Sequence, residues 1–394
     1  MKKIITFIMT LSILFSLCIR TFAVNGGKST AENASIYASA EIEFDYDVNS
    51  AYLIEASTGK VLYAKNEFNA ASPASVTKVM TLLLVCEALE KGKYKLDDVV
   101  TISAKAASMG GSQVFLEEGE TITVEELIKS TVIASGNDAS VALAELTAGS
   151  EAAFVKMMNQ RAAELGLNNT NFENTTGLDD TTTKHYSCAS DIGKMSRELI
   201  QHEIILKYSS IWQDTIRNGE FTLTNTNRLV RYYDGCNGLK TGSTDKAGYC
   251  ISATAKRGNM QLISVIMGAS TRDERNNAAR ALFDYAFANY ALYEKNEEFV
   301  ENVDIKGGIK NYVSLYSTPF SAVIEKDKIS NIEMLYEIPE NLVAPIVKSD
   351  VVGSIVYKIG DEQLGRSELY VLETVEKIKI GDLFVRILKR ISCG

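Results

Sequence analysis

The chain has 394 residues, 46% hydrophobic and 23% charged, with a formal net charge of −9. That length and apolar share can bury a substantial core spread over two or three domains, which excludes a disordered chain. The acidic balance, with no basic strip interleaved with aromatics, excludes nucleic acid as a partner, because neutralising phosphates needs the opposite sign.

The first element is an address. Lys2 and Lys3 precede an apolar run from Ile4 to Cys18, and Thr21-Phe22-Ala23 offers a small-x-small cleavage pattern. Together they predict a secretory signal peptide over 1–23, cut after Ala23, and so a mature protein outside the cytoplasmic membrane. Left uncut, the same segment would be a membrane anchor. A lipoprotein site at Cys18 is disfavoured by the bulky Leu17 before it. Residues 24–43 are small and polar and read as a flexible lead-in.

Two apolar segments, "AYLIEA" and "VLYAK", flank the Gly-containing turn "STGK", which predicts an opening β-hairpin. From about Ser72 to Leu199 the texture is helical, with Ala-rich periodic stretches at 125–134, 138–147 and 151–165, the last stopping at Gly166 as a C-cap. Strands return with "GYCISATA" and "MQLISVIMGA", joined by "KRGN", and "ERNNAARALFDYAFANYAL" then reads as a helix. Helices inserted between an opening hairpin and a later strand pair predict an α+β domain, its antiparallel sheet covered by helices.

Beyond residue 297 come "YVSLYS", "FSAVIE", "IEMLYEI", "GSIVYKIG" and "ELYVLETV", short strand candidates that predict a small all-β unit. The chain ends in "GDLFVRILKRISCG". On a helix Leu383, Phe384, Ile387, Leu388 and Ile391 share one side while Arg386, Lys389 and Arg390 crowd the other, the pattern of an amphipathic helix in a membrane interface. It is too short to span a bilayer. A helix docked on its own domain is the alternative.

Five cysteines follow the signal, an odd number at irregular spacing, so no disulfide framework is expected. The two histidines, His185 and His202, have no partner at metal-ligand spacing, and no metal or other cofactor is expected. His185 in "KHYS" reads as a structural or rim residue.

The chemistry-bearing stretch is "ASPASVTKVMTLLLVCEALE". From Val76 to Leu89 it predicts a helix apolar on both faces, yet it carries Lys78, three residues after Ser75. Positions i and i+3 share a helix face, so the amine can reach the hydroxyl. Surrounding apolar side chains favour the neutral amine, which is a base. Ser75, after Pro73-Ala74 at the helix start, lies where unpaired N–H groups can stabilise an oxyanion. The pattern is that of an activated nucleophile.

Alone, S-x-x-K is a weak signal, because serines near helix starts are usually caps. Two further stretches sharpen it: Ser135-Gly136-Asn137 between predicted helices, and Lys240-Thr241-Gly242 leading into a strand. Three motifs in the order S-x-x-K, S-x-N, K-T-G form the signature of penicillin-binding serine enzymes. Over about residues 44–296 the sequence resembles the low-molecular-mass penicillin-binding proteins that are D-alanyl-D-alanine carboxypeptidases of the serine peptidase S11 type. Ser-Gly-Asn in place of the Ser-Asp-Asn of class A β-lactamases points to the carboxypeptidase branch. "NTTGLDD", "HYSCASD" and "AGYCISATAKR" resemble the same family.

The resemblance implies a penicillin-binding/β-lactamase-like catalytic domain with a helical subdomain over 44–296, a small β-rich domain over 297–376 and an amphipathic membrane-anchoring helix over 377–394. It implies release of the terminal D-Ala from peptidoglycan stem pentapeptides through an acyl-enzyme, acylation by β-lactams, and residence on the outer face of the cytoplasmic membrane. Ser75 would be the nucleophile, Lys78 its base and Ser135 a proton relay to the leaving amine, aided by Lys78 or Lys240. Asn137 would bind the peptide amide and hold Lys78. Lys240 and Thr241 would bind the terminal carboxylate, and Gly242 would leave room for the substrate strand. The Ser243 N–H would complete the oxyanion hole. Arg275, with Arg272 close by in sequence, would stand near the carboxylate. "ELGLN" matches a deacylating β-lactamase pattern through Glu164, but falls at a predicted helix end and is set aside. A β-lactamase and a noncatalytic β-lactam or wall-sensing module are the alternatives; persistence of a penicillin adduct separates the first, release of D-Ala the second.

Overall fold

A computed structural model of the chain describes residues 43–180, 182–382 and the single positions 384, 388 and 391. The expected signal peptide, the lead-in up to residue 42 and most of the terminal helix lie outside the described residues. The opening hairpin forms as β1 (Ser50–Glu55) and β2 (Val61–Lys65). It joins three later strands, β3 (Cys236–Thr244), β4 (Gly248–Arg257) and β5 (Met260–Ala269), in one antiparallel sheet of order β2-β1-β5-β4-β3. The centre of this sheet is buried, as its near-continuous apolar runs require. Strand β3 is an edge, so one row of its backbone groups faces a cleft instead of a neighbour.

The residues between β2 and β3 supply the helices. A 3₁₀ turn, Ala74–Thr77, runs directly into α1 (Lys78–Glu90), followed by α2 (Val124–Val132), α3 (Asn137–Ala148), α4 (Glu151–Glu164) and α5 (Ala189–Leu199). Helix α1 touches all four of the others, which explains why its sequence is apolar on every side: Val79 to Cys86 are all buried. Helix α2 begins with a capping box between Thr123 and Glu126. Helix α4 stops at a left-handed Gly166, φ +65°, whose N–H reaches back to the Ala163 carbonyl.

Helix α6 (Arg272–Asn289) ends earlier than the sequence predicts. Tyr290–Lys295 becomes β6, because its alternating pattern turns Tyr290 and Leu292 inward while its backbone pairs antiparallel with β9 (Phe320–Glu325). The remaining strands are β7 (Glu298–Lys306), β8 (Tyr312–Ser317), β10 (Glu333–Glu337), β11 (Asn341–Val343), β12 (Val351–Ile359) and β13 (Glu362–Val371). They form a six-stranded sheet of order β10-β12-β13-β8-β7-β11. Its core is separate from that of the helices: Val313, Leu315, Ile355, Leu369 and Val371 pack together there. The family-implied mixed α+β unit followed by a β unit is therefore the observed architecture.

Candidate active site

Ser75 lies in the 3₁₀ turn rather than in the first turn of α1. This difference from the sequence reading matters, because a 3₁₀ turn eclipses side chains at i and i+3 and so stacks Lys78 on Ser75 more closely than an α-turn would. The entry is strained: Ala74 has φ +46°, a conformation costly for a residue with a Cβ. Gly177 makes it possible, since a Cβ there would come within 1.8 Å of the Ala74 carbonyl oxygen.

Lys78 is fully buried, with Nζ 2.9 Å from Ser75 Oγ, 2.6 Å from Asn137 Oδ1 and 2.8 Å from the Thr176 carbonyl. Asn137 Oδ1 and the Thr176 carbonyl can only accept. A neutral amine has two N–H bonds, and those two acceptors take both, leaving its lone pair for the Ser75 hydroxyl. Burial holds the Lys78 pKa well below the usual lysine range, and the charge of Lys240 pushes it the same way against the opposing pull of Asp138. The geometry and the electrostatics therefore favour the same protonation state.

Asn137 opens α3, and its own Nδ2 donates to the Gly110 carbonyl, which fixes the amide's orientation. Ser135 precedes it in the left-handed region, φ +64°. That turn aims its Oγ at Lys240 Nζ, 2.8 Å away, while Lys240 also donates to the Thr241 carbonyl. Of the two lysines considered as helpers of Ser135, Lys240 is the one in hydrogen-bond contact. Burial, then the nearby Arg275, lowers the Lys240 pKa to about 7.

Lys240-Thr241-Gly242 lies within edge strand β3 itself, rather than ahead of a strand. A Cβ on Gly242 would sit 2.6 Å from the Ser75 backbone nitrogen and 2.9 Å from that of Val76. The space this glycine leaves is thus taken by the backbone of Ser75 and Val76, a tighter demand than room for a substrate. Ser243, the next residue, is exposed at the cleft. Thr241 Oγ1 donates to Thr226 Oγ1 at 2.8 Å.

Ser75, Ser135, Thr241, Gly242, Ser243 and Arg275 line one cavity of about 560 Å³, with Lys78, Asn137 and Lys240 joined to it by the bonds above. Arg275 is buried, its guanidinium held by Asn276 Oδ1, and exposed Arg272 lines the same cavity. Glu164 is not among the lining residues; it pairs with Arg161 at the end of α4. His185 is buried and accepts from the Glu173 N–H at Nδ1, so Nε2 carries the hydrogen facing Thr77 Oγ1 at 2.8 Å. Burial lowers its pKa to about 4, consistent with a neutral structural residue.

Several contributors carried no usable sequence signal. Thr176 acts through its carbonyl, which any residue possesses. Asp179 Oδ2 accepts from Ser72 Oγ at 3.1 Å and Thr244 Oγ1 at 2.6 Å, tying the segment that leads into Ser75 to the end of β3. Buried Asp138 accepts from the Val114 and Leu116 N–H groups and so holds the 110–116 loop beside the cleft. "NTTGLDD" offered a resemblance for Asp179 but no role.

Comparisons with known proteins show the family. The family model for D-alanyl-D-alanine carboxypeptidase matches residues 36–271, and that for the penicillin-binding protein 5 C-terminal domain matches 287–377. The D-alanyl-D-alanine carboxypeptidase DacF of Bacillus subtilis (strain 168) is 43% identical over 398 residues, covering 99% of this chain and 98% of the relative. Penicillin binding protein 5 from Haemophilus influenzae superposes with a TM-score of 0.76 at 32% identity, covering 86% of this chain and 100% of that one. Penicillin-binding protein D2 from Listeria monocytogenes, in its ampicillin-bound form, gives a TM-score of 0.58 at 30% identity over 62% of this chain and 100% of its own.

Proposed function

The chain belongs to the D-alanyl-D-alanine carboxypeptidase family of serine peptidases, and from that premise we propose that Ser75 is the residue acylated by peptidoglycan stem pentapeptides and by penicillin. The observation that carries this reading is the fully buried Lys78 amine, both N–H groups engaged, 2.9 Å from Ser75 Oγ.

Lys78 takes the hydroxyl proton as Oγ attacks the carbonyl carbon of the penultimate D-Ala. The oxyanion is met by the N–H groups of Ser75 and Ser243. As the tetrahedral intermediate collapses, the C–N bond breaks and Ser135 passes a proton to the departing amine. Lys240, in contact with Ser135, resupplies it. The terminal carboxylate rests on Lys240, Thr241 and Arg275, and Asn137 holds the peptide amide as well as Lys78. Water then hydrolyses the ester: a water proton passes through Ser135 to the neutral Lys240, Lys78 returns to Ser75 Oγ the proton it took, and the shortened peptide leaves with both lysines restored. Intact Ser75, Lys78 and Lys240 count against a noncatalytic sensing module.

The remaining proposals concern placement. A leader over 1–23 and lead-in over 24–43 precede a catalytic unit over 44–296, a β unit over 297–376 and an anchoring helix over 377–394. Among the described residues no helix is long and apolar enough to cross a membrane. Attachment to the outer face of the cytoplasmic membrane is supported by Ile380, Phe384, Leu388 and Ile391, all exposed and spaced as one helix face.

Mass spectrometry of penicillin-treated protein tests the nucleophile: the adduct is expected on Ser75 and absent in Ser75→Ala, which also releases no D-Ala from a pentapeptide. An adduct retained by that variant removes Ser75 from its role. Co-sedimentation with anionic phospholipid vesicles tests the anchor. Phe384→Asp with Leu388→Asp is expected to leave the protein in the supernatant, and unchanged sedimentation rejects the anchor.

A further inference from the structure

The cleft exceeds what its reaction needs. A volume of about 560 Å³ falls in the range that encloses drug-sized ligands, about 300–1,000 Å³, whereas the reacting end of the substrate is two alanine residues. The surplus wall borders Thr241: Trp212, Arg228 and Tyr232 belong to the segment joined to β3 through the Thr226–Thr241 hydrogen bond. In the proposed reaction this is the side of the departing residue.

The charge on this side is one-signed. Arg228, Arg272 and Arg275 line the cavity above buried Lys240, and no Asp or Glu lines it. Among the described residues none of the three arginines forms an ion pair, although the protein as a whole is acidic. They crowd one another: burial, then Arg272, with Arg228 adding, lowers the Arg275 pKa to about 10. A terminal D-Ala brings one carboxylate to this cluster, which leaves the exposed Arg228 and Arg272 without an anion. The same cavity is lined by the aromatic pair Trp212 and Tyr232, ring centroids 6.3 Å apart, with the Arg231 guanidinium stacked on both rings and adding a further positive charge.

We propose that this wall is a second anion subsite, so that the enzyme also removes C-terminal D-residues whose side chain ends in a carboxylate. The α-carboxylate keeps its place at Lys240, Thr241 and Arg275. The side-chain methylenes lie against Trp212 and Tyr232, and the second carboxylate meets Arg228 and Arg272. The chemistry is unchanged, with the same C–N bond broken, water added and an acidic D-amino acid released in place of D-Ala. This inference rests on the carboxypeptidase reading above.

The test compares peptides ending in D-Ala-D-Glu and D-Ala-D-Gln, which match in size and differ in charge, with D-Ala-D-Ala as reference. The expected kcat/KM for the D-Glu peptide exceeds that for D-Gln by about tenfold, the size of one charge-assisted hydrogen bond partly screened by solvent. The ratio falls to about one in Arg228→Gln/Arg272→Gln. Equal rates in the unmodified enzyme, or a D-Glu preference that survives in the double variant, overturn the proposal. Trp212 is the chain's single tryptophan, so its fluorescence in Ser75→Ala reports occupancy of this wall without turnover. Half-saturation at lower concentration for the D-Glu peptide supports the subsite, and coincident titrations reject it. Failure of the carboxypeptidase reading itself shows separately, as absence of D-Ala release from the reference peptide, and leaves the fluorescence result standing.

Discussion

The catalytic unit buries ionisable side chains, whereas the C-terminal unit exposes apolar ones. Lys78 and Lys240 are among the largest fully buried side chains. In β10 of the C-terminal sheet, Met334, Leu335 and Tyr336 are exposed at 40%, 53% and 47%. Both depart from the usual inside–outside rule, at very different cost. A buried amine loses its hydration and must recover it from fixed partners, and here Ser75, Asn137 and Thr176 surround Lys78 from three segments of the chain. Three apolar side chains on an exposed strand need no such support, and Glu333 and Glu337 bracket them with charges that discourage edge pairing. A departure that the fold must support at several points indicates chemistry. One that needs no support marks a surface without identifying its partner.

The contrast can be broken most forcefully at Lys78. Lys78→Met fills the same space but removes the base, and D-Ala release is expected to fall about 10⁴-fold. Thermal unfolding should shift by only a few degrees, because two acceptors lose a donor while the apolar surroundings gain a matching side chain. Activity above a hundredth of the starting value would mean another base serves Ser75.

Next in size is Gly242→Ala. A Cβ 2.6 Å from the Ser75 nitrogen must push β3 away from the nucleophile, and a loss of about 100-fold in kcat is expected. Near-normal kcat would show that the strand and nucleophile need not touch.

A smaller, graded effect follows from Lys240, whose pKa of about 7 lies far below the 10.5 of a free lysine. In the proposed reaction its ammonium form binds the carboxylate, so kcat/KM should decline above pH about 7, approaching tenfold per unit. A bound carboxylate favours the charged amine, so the matching decline in kcat should begin at higher pH. Lys240→Arg retains charge throughout and should flatten the alkaline decline; an unchanged profile would assign that decline to another group.

The smallest effect belongs to the β unit. Leu335→Ser should leave turnover unchanged and stability within about 0.5 kcal/mol, measured by denaturant unfolding. A larger loss of stability would show that β10 is held by contacts its exposure does not suggest.

What the sequence revealed follows the same division. The β1–β2 and β4–β5 hairpins were legible because their alternation and Gly-containing turns act locally. The candidate site was legible because the roles proposed for Ser75, Lys78, Ser135, Asn137 and Lys240 require those residue types, and the fold brings the five together. The 3₁₀ turn was not, since nothing in Ala74 announces a φ of +46°; the cause is the clearance at Gly177, about 100 residues away. Nor could the sequence decide whether Lys78 or Lys240 meets Ser135, because 105 residues separate Ser135 from Lys240. Strand β11 escaped notice as a three-residue edge, too short to show a period.

An NMR titration of lysines labelled at Cε, with Lys78→Met identifying the signal, measures the protonation state on which the mechanism turns. The account predicts that Lys78 is already neutral at pH 7 and stays so until the solution is distinctly more acidic. A Lys78 signal that titrates in the ordinary lysine range would contradict it, because a charged amine could not accept the proton of Ser75.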